Sequence, residues 1–311
     1  MLSGCNAGEG EDTNTNIKDF EGLVVRYVDV GQGDSILIKF PDQKSLMIDC
    51  GGALDSVTDN IQKSFDDLGV ENLDYLVLTH PDLDHVGSAL NVLQTISVDS
   101  VFIPNVLEPQ KFSTFNSALN YINANQIESI IFDNFCYIVG QDYSLAFLSP
   151  LPMSDKDSPY IDFNFALEPN ETQINDISAV IYLEYKGVRF LFTGDAGEKI
   201  EEKILLDYYS GVFKQNFSKH GINVNLAEID FLKLAHHGSK DSSTEDFLNL
   251  VKPKNAIISV GGNNFYGHPS TQTLSRLYQA NQTCAVWRTD VKGDITVKVD
   301  KNGLATIQTL I

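Results

Sequence analysis

The polar residues of this chain gather at the ends of short apolar segments, and this arrangement limits the folds open to it. From Leu23 onwards, segments typical of strands alternate with segments of helical periodicity. Five of the six histidines follow apolar segments, beside glycine, proline or aspartate, and only His220 lies elsewhere. Strands interspersed with helices, with polar clusters where the strands end, predict two sheets covered by helices.

The strand signals are clearest at the start and in the middle of the chain. Three apolar segments, at 23–30, 35–40 and 45–49, have Gly- or Pro-containing joints and predict an antiparallel start. Residues 179–195 predict a hairpin that turns at Lys186-Gly187. Further strands are predicted at 74–79, 98–104, 128–132, 231–235, 255–261, 284–289 and 295–299. Helices are predicted at 56–69, 85–96, roughly 114–125, about 198–209, 243–251 and from Ser270. Acidic pairs such as Glu201-Glu202 are expected on solvated faces.

Two segments are predicted to lie outside the regular structure. Residues 150–175 are rich in Pro, Asp, Asn and Ser and predict a long loop or insertion. Leu2-Ser3-Gly4-Cys5 resembles the end of a bacterial lipoprotein signal, and a polar stretch without periodicity follows it. We therefore expect a tether at 1–19 with a possible lipid anchor at Cys5, a folded domain at 20–311, and an extracytoplasmic location.

Composition excludes several classes of protein. The formal net charge of −20 repels phosphate backbones and anionic lipid, so stable nucleic-acid binding is not expected. A phosphodiester can still bind locally, because bound cations invert the charge of a site. The four cysteines are widely spaced, which indicates neither a disulfide framework nor a cysteine-rich zinc module. No apolar run is long enough to span a bilayer.

The segment THPDLDHVGS, residues 79–88, carries the densest group of potential metal ligands. Pro81 favours an extended backbone, in which His80 and Asp82 point to the same side. Asp84 and His85 lie where the next helix begins, and a helix start stabilises ionised carboxylates. Each pair is half a metal site and needs ligands from other segments. The candidates are Asp195 in FTGDA, His236 and His237 in AHHGS, and His268 in YGHP.

The order of these motifs resembles the metallo-β-lactamase superfamily. The segments DVGQGDSILI, THPDLDHVGS, FTGDAG, LKLAHHGS and YGHPS are more specifically similar to the branch that contains the soluble hydrolase domain of the competence protein ComEC. The similarity extends from about Leu23 to Val299. It implies an αββα sandwich, in which two mixed β-sheets pack face to face with helices on the outer faces. Residues 20–311 would then form a hydrolase domain.

The resemblance also implies two divalent metal ions. His80 and Asp82 would hold one ion, Asp84 and His85 the other, and Asp195 would bridge them. His237 and His268 would supply the remaining imidazoles, and the ion that each serves stays open.

Other residues of the family's pattern would act around the ions. His236 would contact the leaving group or a phosphate oxygen, or would itself be a ligand. Asp49 would orient ligands, and Asp29, Gln32 and Asp34 belong to an early motif of the ComEC branch near the site.

Two departures from the wider superfamily bear on the metal. Asp82 stands where many members have histidine, and residues 175–178 lack the histidine that many members carry there. These changes make one site richer in oxygen, so Mn²⁺ competes with Zn²⁺. They also argue against a true β-lactamase.

The favoured function is metal-dependent hydrolysis of a phosphodiester, nuclease-like or in the cell envelope. Asp84, Asp195 and His236 are the residues expected to take part directly in hydrolysis, with a water activated between two ions. The alternatives are hydrolysis of a carboxyl ester, lactone or β-lactam, and a non-catalytic extracellular binding module that keeps the fold.

Overall fold

In the computed structural model, which describes residues 17–106, 108–132, 135–150 and 174–311, two β-sheets pack face to face. The described strands are β1 (Gly22–Tyr27), β2 (Ile36–Lys39), β3 (Ser45–Ile48), β4 (Asn72–Val77), β5 (Ser97–Ile103), β6 (Glu128–Ile131), β7 (Tyr137–Val139), β8 (Tyr143–Ser149), β9 (Val180–Tyr185), β10 (Val188–Phe192), β11 (Phe231–Lys233), β12 (Asn255–Ile258), β13 (Ala285–Arg288), β14 (Ile295–Asp300) and β15 (Ala305–Thr309). The described helices are α1 (Asp55–Leu68), α2 (Leu83–Val86), α3 (Ala89–Thr95), α4 (Ser113–Ala124), α5 (Glu198–Ser210), α6 (Val212–Phe217), α7 (Glu245–Val251), α8 (Thr271–Ala280) and α9 (Thr289–Lys292).

Each sheet has an antiparallel half and a parallel half. The first sheet has eight strands in the order β15-β14-β1-β2-β3-β4-β5-β6, and its pairs from β3 to β6 are parallel. The second has seven strands in the order β13-β12-β11-β10-β9-β8-β7, and its pairs from β10 to β13 are parallel. The predicted antiparallel start and the hairpin at Lys186-Gly187 are confirmed as β1-β2-β3 and β9-β10.

Three apolar clusters divide the molecule into layers. The central cluster joins the inner faces of the sheets, with Tyr27 of β1 opposite Phe192 of β10. A second cluster lies between the first sheet and helices α1, α3 and α4, and a third lies between the second sheet and helices that include α5 and α7. Burial of these faces is the main source of stability for such a sandwich. The predicted αββα arrangement is confirmed.

Helix α1 shows how the sequence pattern produces this layering. Val57, Ile61, Phe65 and Leu68 recur at helical spacing and are buried against the first sheet. Gly69 ends the helix with φ of 66°, a left-handed conformation that glycine adopts without a Cβ penalty.

The prediction of one helix at 85–96 was wrong, because α2 and α3 are separate. Gly87 packs so tightly that an added Cβ would lie 2.3 Å from the carbonyl carbon of Gly52. Ser88, with φ of −96° and ψ of 8°, leaves the helical conformation and donates a hydrogen bond to the Gly52 carbonyl oxygen at 2.7 Å. The polypeptide therefore turns at this close contact.

Some elements had no counterpart in the predictions, namely β7, β8, β15, α6 and α9. Strand β15 alternates partly buried and exposed residues at the edge of the first sheet, so its pattern is weak. Helix α6 has six residues, too few to establish a period.

The predicted tether and insertion lie largely outside the described residues. Residues 1–16, including Cys5, and residues 151–173 are outside the description. Residues Ile17–Asp19 form a 3-10 turn, and the Lys18 carbonyl oxygen accepts a hydrogen bond from Lys39 Nζ at 2.8 Å. Among the described helices, none is long and apolar enough to cross a membrane.

Candidate metal centre

Four loops that follow strands with parallel neighbours carry the predicted ligands. The loop after β4 belongs to the first sheet, and the loops after β10, β11 and β12 belong to the second. Carboxyl ends of parallel strands lie at the same edge of a sheet, so side chains of these loops can converge. In chain order, the loops carry His80, Asp82, Asp84, His85, Asp195, His236, His237 and His268.

Asp195 is the meeting point of these loops. Its Oδ1 atom lies 3.2 Å from His85 Nε2. Its Oδ2 atom lies 3.5 Å from His237 Nε2 and 3.7 Å from His236 Nε2. The carboxylate is almost fully buried, so it faces the three imidazoles with little solvent around it.

His85 belongs to three close groups of potential ligand atoms, one of them with Asp34 and Asp49. His80, His85 and Asp195 have ligand atoms within 4.8 Å of one another, and the same holds for Asp84, His85 and His237. The His80 and His85 ring centroids are only 4.1 Å apart. The ligand atoms of His80 and His85 thus lie side by side, and the assignment of each residue to one of two ions stays a prediction.

Asp82 and His268 lie at the margin of this cluster. Asp82 Oδ2 is 3.7 Å from His80 Nε2, and about a quarter of its side chain is exposed. The ring centroid of His268 is 5.4 Å from that of His236, and neither Asp82 nor His268 belongs to any of the close groups of ligand atoms. Their roles as ligands stay predictions.

The distal ring nitrogens hold the histidines in place. His85 Nδ1 lies 2.7 Å from Asp49 Oδ2, and Asp49 also accepts hydrogen bonds from the backbone and hydroxyl of Thr79. His237 Nδ1 donates to the Ser259 carbonyl oxygen at 2.8 Å. An acceptor at Nδ1 fixes the proton there and leaves Nε2 free as a ligand, an arrangement typical of metal-binding histidines.

Polar atoms without partners show that the cluster fits a cation. Among the described residues, nothing forms a hydrogen bond with His80 Nε2, His85 Nε2, His237 Nε2 or Asp195 Oδ1, although all four are buried. Each unsatisfied buried group costs about 1–3 kcal/mol. A divalent cation among them would satisfy these atoms together, and imidazole nitrogen with carboxylate oxygen suits Zn²⁺ or Mn²⁺.

Strong charge coupling is present even without a cation. Burial opposes ionisation of Asp84 and Asp195, but the nearby His237 and His85 outweigh it and hold the pKa of both carboxyls well below the usual range. Burial likewise disfavours the imidazolium form of His85 and His237. The facing carboxylates, Asp195 foremost, nevertheless raise the pKa of both rings.

We expect metal binding at pH 7 to release protons. The facing carboxylates raise the pKa of His85 and His237, which favours the protonated rings in the metal-free protein, and a ligand imidazole must lose that proton. Apparent affinity should therefore rise with pH until the solution passes these pKa values. Calorimetric titration in two buffers of different ionisation enthalpy measures the number of protons. Identical observed enthalpies in both buffers at pH 7 would contradict the expectation.

The loop that carries His236 and His237 has an unusual backbone. These residues have φ of 48° and 53°, in the left-handed region that non-glycine residues rarely adopt. The backbone N–H of His236 donates to the Gly194 carbonyl oxygen at 3.0 Å, and that of Ser239 donates to the His236 carbonyl oxygen at 2.8 Å. Further along this loop, Glu201 accepts hydrogen bonds from the backbone N–H groups of Ser243 and Thr244 at 2.6 and 2.7 Å. The expectation of a solvated Glu201 was wrong, because this side chain is buried and holds the loop.

The segment DVGQGD brings a second loop against the ligands. The backbone N–H of Asp34 donates to the Asp84 carbonyl oxygen at 3.2 Å. Gln32 lines the cavity beside the cluster, whereas the backbone N–H of Asp29 donates to Asp294 Oδ1 at 2.8 Å. Gly33, with φ of 130°, lies where a Cβ would come 2.1 Å from the Asp84 carbonyl oxygen.

Gly33→Ala should weaken the site far more than Gly31→Ala. Both glycines have positive φ, but a Cβ on Gly31 would meet nothing within 4 Å. We expect Gly31→Ala to cost about 1 kcal/mol of unfolding free energy through backbone strain alone. Gly33→Ala should cost about 2–4 kcal/mol and displace Asp84, lowering metal affinity at least about tenfold. Denaturant unfolding and metal titration of the two variants provide the comparison, and equal metal affinity in both would refute it.

A cavity of about 350 Å³ lies against the cluster. This volume is typical of small-ligand sites. Among the described residues, its lining includes carboxylates and imidazoles but neither lysine nor arginine. The lining residues are Gln32, Asp82, Leu83, Asp84, Ile174, Asp195, His236, His237, Tyr266 and His268.

Several residues that support the cluster were missed by sequence reasoning. Ser178 Oγ lies 3.2 Å from His80 Nδ1, and Asn175 Nδ2 lies 3.3 Å from His236 Nδ1. Both come from the stretch noted above only for lacking a histidine. Lys233 forms a buried ion pair with Asp34 at 2.8 Å. Its position inside an apolar strand was a usable signal, since lysine is almost never fully buried without a partner.

The family model for the Metallo-beta-lactamase superfamily matches residues 28–262, and the chain belongs to this family. The fold and the His–Asp cluster are those of a metal-dependent hydrolase. The resemblance to the ComEC branch is also confirmed. The chain is 30% identical over 299 residues to ComE operon protein 3 of Bacillus subtilis (strain 168), covering 91% of this chain and 34% of that protein. It is 28% identical over 279 residues to Competence protein ComA of Neisseria gonorrhoeae, covering 89% of this chain and 32% of that protein.

The chain thus spans about a third of the length of these curated relatives. Among solved structures, the CmlA beta-hydroxylase E377D mutant superposes with a TM-score of 0.51 at 11% sequence identity, covering 89% of this chain and 54% of that one. At this identity the likeness concerns the fold alone.

Proposed function

We propose that this protein is a dinuclear metal-dependent phosphodiesterase that uses Zn²⁺ or Mn²⁺. The observation that carries the proposal is the convergence of three free Nε2 atoms and the Asp195 carboxylate beside one cavity. His80, His85 and His237, with Asp84 and Asp195, would hold the ions, and Asp82 and His268 would complete the ligand set. When bound, the ions would polarise the phosphoryl group and lower the pKa of an attacking water.

The protein's own groups have distinct roles in this reaction. Asp195 reaches the imidazoles of both sheets and would keep the ions at one spacing. His236 lines the cavity, where it would protonate the departing oxygen or stabilise its charge. Asn175 beside His236 Nδ1 would fix the orientation of that ring.

Charge and relatives favour a phosphodiester of limited length. Because the described cavity lining has no lysine or arginine, neutralisation of the phosphate would fall to the ions. The net charge of −20 opposes extended contact with a long polyanion. Recombination protein 2 of Haemophilus influenzae (strain ATCC 51907 / DSM 11121 / KW20 / Rd) is also similar, at 27% identity over 280 residues. Recombination concerns nucleic acids, whose backbone is a phosphodiester.

A substrate panel tests the proposal directly. Bis-p-nitrophenyl phosphate, dinucleotides, oligonucleotides, choline phosphodiesters, a lactone and a β-lactam would be assayed with Zn²⁺ and with Mn²⁺. We expect metal-dependent turnover of the diesters. Turnover confined to the lactone or β-lactam would overturn the phosphodiester assignment, and bound metal without any turnover would favour a binding module.

His236→Ala should affect poor leaving groups most. If His236 assists the departing oxygen, its loss should lower kcat by about 10²–10⁴-fold for an alkyl diester and much less for a p-nitrophenyl ester, whose leaving group needs little assistance. His220→Ala is the matched control, because His220 stacks on Tyr137 outside the cluster. Equal losses for both classes of leaving group would argue against this role.

The cellular location rests on the N-terminal motif. A lipid anchor at Cys5 and an extracytoplasmic site of action stay predictions, since Cys5 lies outside the described residues. An envelope phosphodiester and scavenged nucleic acid both fit that location.

A further inference from the structure

A fully buried ion pair lies behind the cluster, and the hydrolytic roles assigned above do not use it. Lys233 and Asp34 have relative exposures of 0% and 1%, and Lys233 Nζ lies 2.8 Å from Asp34 Oδ2. Lys233 Nζ also donates to the Leu234 carbonyl oxygen at 3.1 Å. Withdrawing two charges from water costs several kcal/mol per ion, so such a pair is weak evidence for a purely stabilising role.

The free oxygen of Asp34 faces His237. Asp34 Oδ1 forms no hydrogen bond with any described residue and lies 3.5 Å from His237 Nδ1. His237 Nδ1 is also 2.8 Å from the Ser259 carbonyl oxygen. The ring therefore has an acceptor and a negative charge on its Nδ1 side, while its Nε2 side faces Asp84 and Asp195.

Asp34 lies behind the imidazole rather than among the ligands. Ligand atoms of Asp34, Asp195 and His237 lie within 4.8 Å of one another. Asp34, however, lies on the Nδ1 side of the His237 ring, where Nδ1 already donates a hydrogen bond to the Ser259 carbonyl oxygen. Its other oxygen is held by Lys233. Backbone hydrogen bonds from Asp34 to Asp84 and from Gly51 to Asp34 fix its position.

We propose that Asp34, balanced by Lys233, is a positioning residue that orients His237 and increases its basicity as a metal ligand. The proposal rests on the metal centre of the proposed function. Asp49 touches His85 Nδ1 at 2.7 Å, whereas Asp34 would act on His237 through its charge at 3.5 Å, beside the Ser259 carbonyl that accepts the Nδ1 proton. Lys233 supplies the counter-charge that allows the Asp34 carboxylate to be buried there.

A double-variant experiment separates positioning from packing. Metal affinity by competition with a chelator, and the denaturation midpoint of the metal-free protein, would be measured for Asp34→Asn, Lys233→Met and the double variant. Lys39→Met is the matched control, because Lys39 is also a buried lysine bound to carbonyl oxygens, but it lies against Lys18 and Leu68.

The expected results differ for the two readouts. Each single variant should have a lower denaturation midpoint than the parent, because each leaves a buried charge without its partner. The double variant should recover most of that loss. Metal affinity should fall about 10- to 100-fold in Asp34→Asn and stay low in the double variant. Lys39→Met should have a lower denaturation midpoint but an unchanged metal affinity.

Three results would overturn the proposal. In the double variant, metal affinity could recover together with the midpoint, which would make the pair a packing element. Asp34→Asn could lose a full equivalent of metal, which would make Asp34 a direct ligand. If the variants do not fold, nitrogen-15 spectra of the metal-free parent at a pH above the pKa of His237 would still decide, because a neutral ring with its proton on Nε2 rather than Nδ1 contradicts the proposed orientation. A parent protein that binds metal but hydrolyses no diester would overturn the proposed function and leave this inference standing.

Discussion

Asp195→Asn is expected to lower kcat/KM for bis-p-nitrophenyl phosphate by about a thousandfold or more, roughly 4 kcal/mol of transition-state stabilisation. Asp195 is the carboxylate that approaches His85, His236 and His237 together. Asparagine preserves the shape of the side chain but removes the negative charge that would attract and partly neutralise two cations. We therefore expect metal content, measured by elemental analysis, to fall together with activity.

The control for this variant is an aspartate whose ion pairs lie outside the cluster. Asp67 contacts Arg26 and Lys63 at 2.9 and 2.8 Å on helix α1, and its side chain is about a third exposed. Asp67→Asn should retain activity within about twofold, because its ion-pair partners lie outside the cluster, although buried Arg26 would lose a partner and the denaturation midpoint should fall. Parental activity and metal content in Asp195→Asn would remove the basis for the proposed centre.

Metal removal is expected to lower the thermal midpoint by about 5 to 10 °C relative to protein at a thousandfold excess of metal over Kd. Without a cation, three buried Nε2 atoms and one carboxylate oxygen have no hydrogen-bond partner among the described residues. A ligand that binds only the folded state stabilises it by about 4 kcal/mol at that excess. Scanning calorimetry of chelator-treated protein, with Zn²⁺ or Mn²⁺ added back, measures the shift.

The same scan on Asp195→Asn tests whether the shift comes from this cluster. That variant should show at most a small response to added metal. An equal shift in parent and variant would locate the stabilising ion elsewhere, and no shift in the parent would contradict a metal centre with affinity useful to an enzyme.

Much of the fold was predictable from the sequence, because the local hydrophobic pattern agrees with the position of each element in the fold. Val57, Ile61, Phe65 and Leu68 repeat at helical spacing and bury the face that this spacing predicts. Strand β15 gave no such signal, since an edge strand needs only one buried side. The division between α2 and α3 depends on the contact of Gly87 with Gly52, which lies far away in sequence.

The sequence predicted which residues would form the candidate site, but not how they are arranged within it. Histidines and aspartates at strand ends indicated convergence, because strand ends share an edge. The membership of His85 in three close groups of ligand atoms follows from the docking of one loop on another, and the spacing of residues along the sequence does not indicate it. Glu201 was misassigned for the same reason, because its partners, Ser243 and Thr244, arrive from a segment 42 and 43 positions away.

The position of β1 between β2 and β14 has a consequence for folding of the protein during its synthesis. Arg26 of β1 and Thr296 of β14 are hydrogen-bonded across 270 positions of sequence. Strand β1 can pair with β2 early, but its other edge stays unpaired until residues 295–300 have been synthesised. Because every residue of β1 is buried in the finished sheet, nascent chains should expose this apolar edge during synthesis of the intervening residues, and chaperones would then protect it.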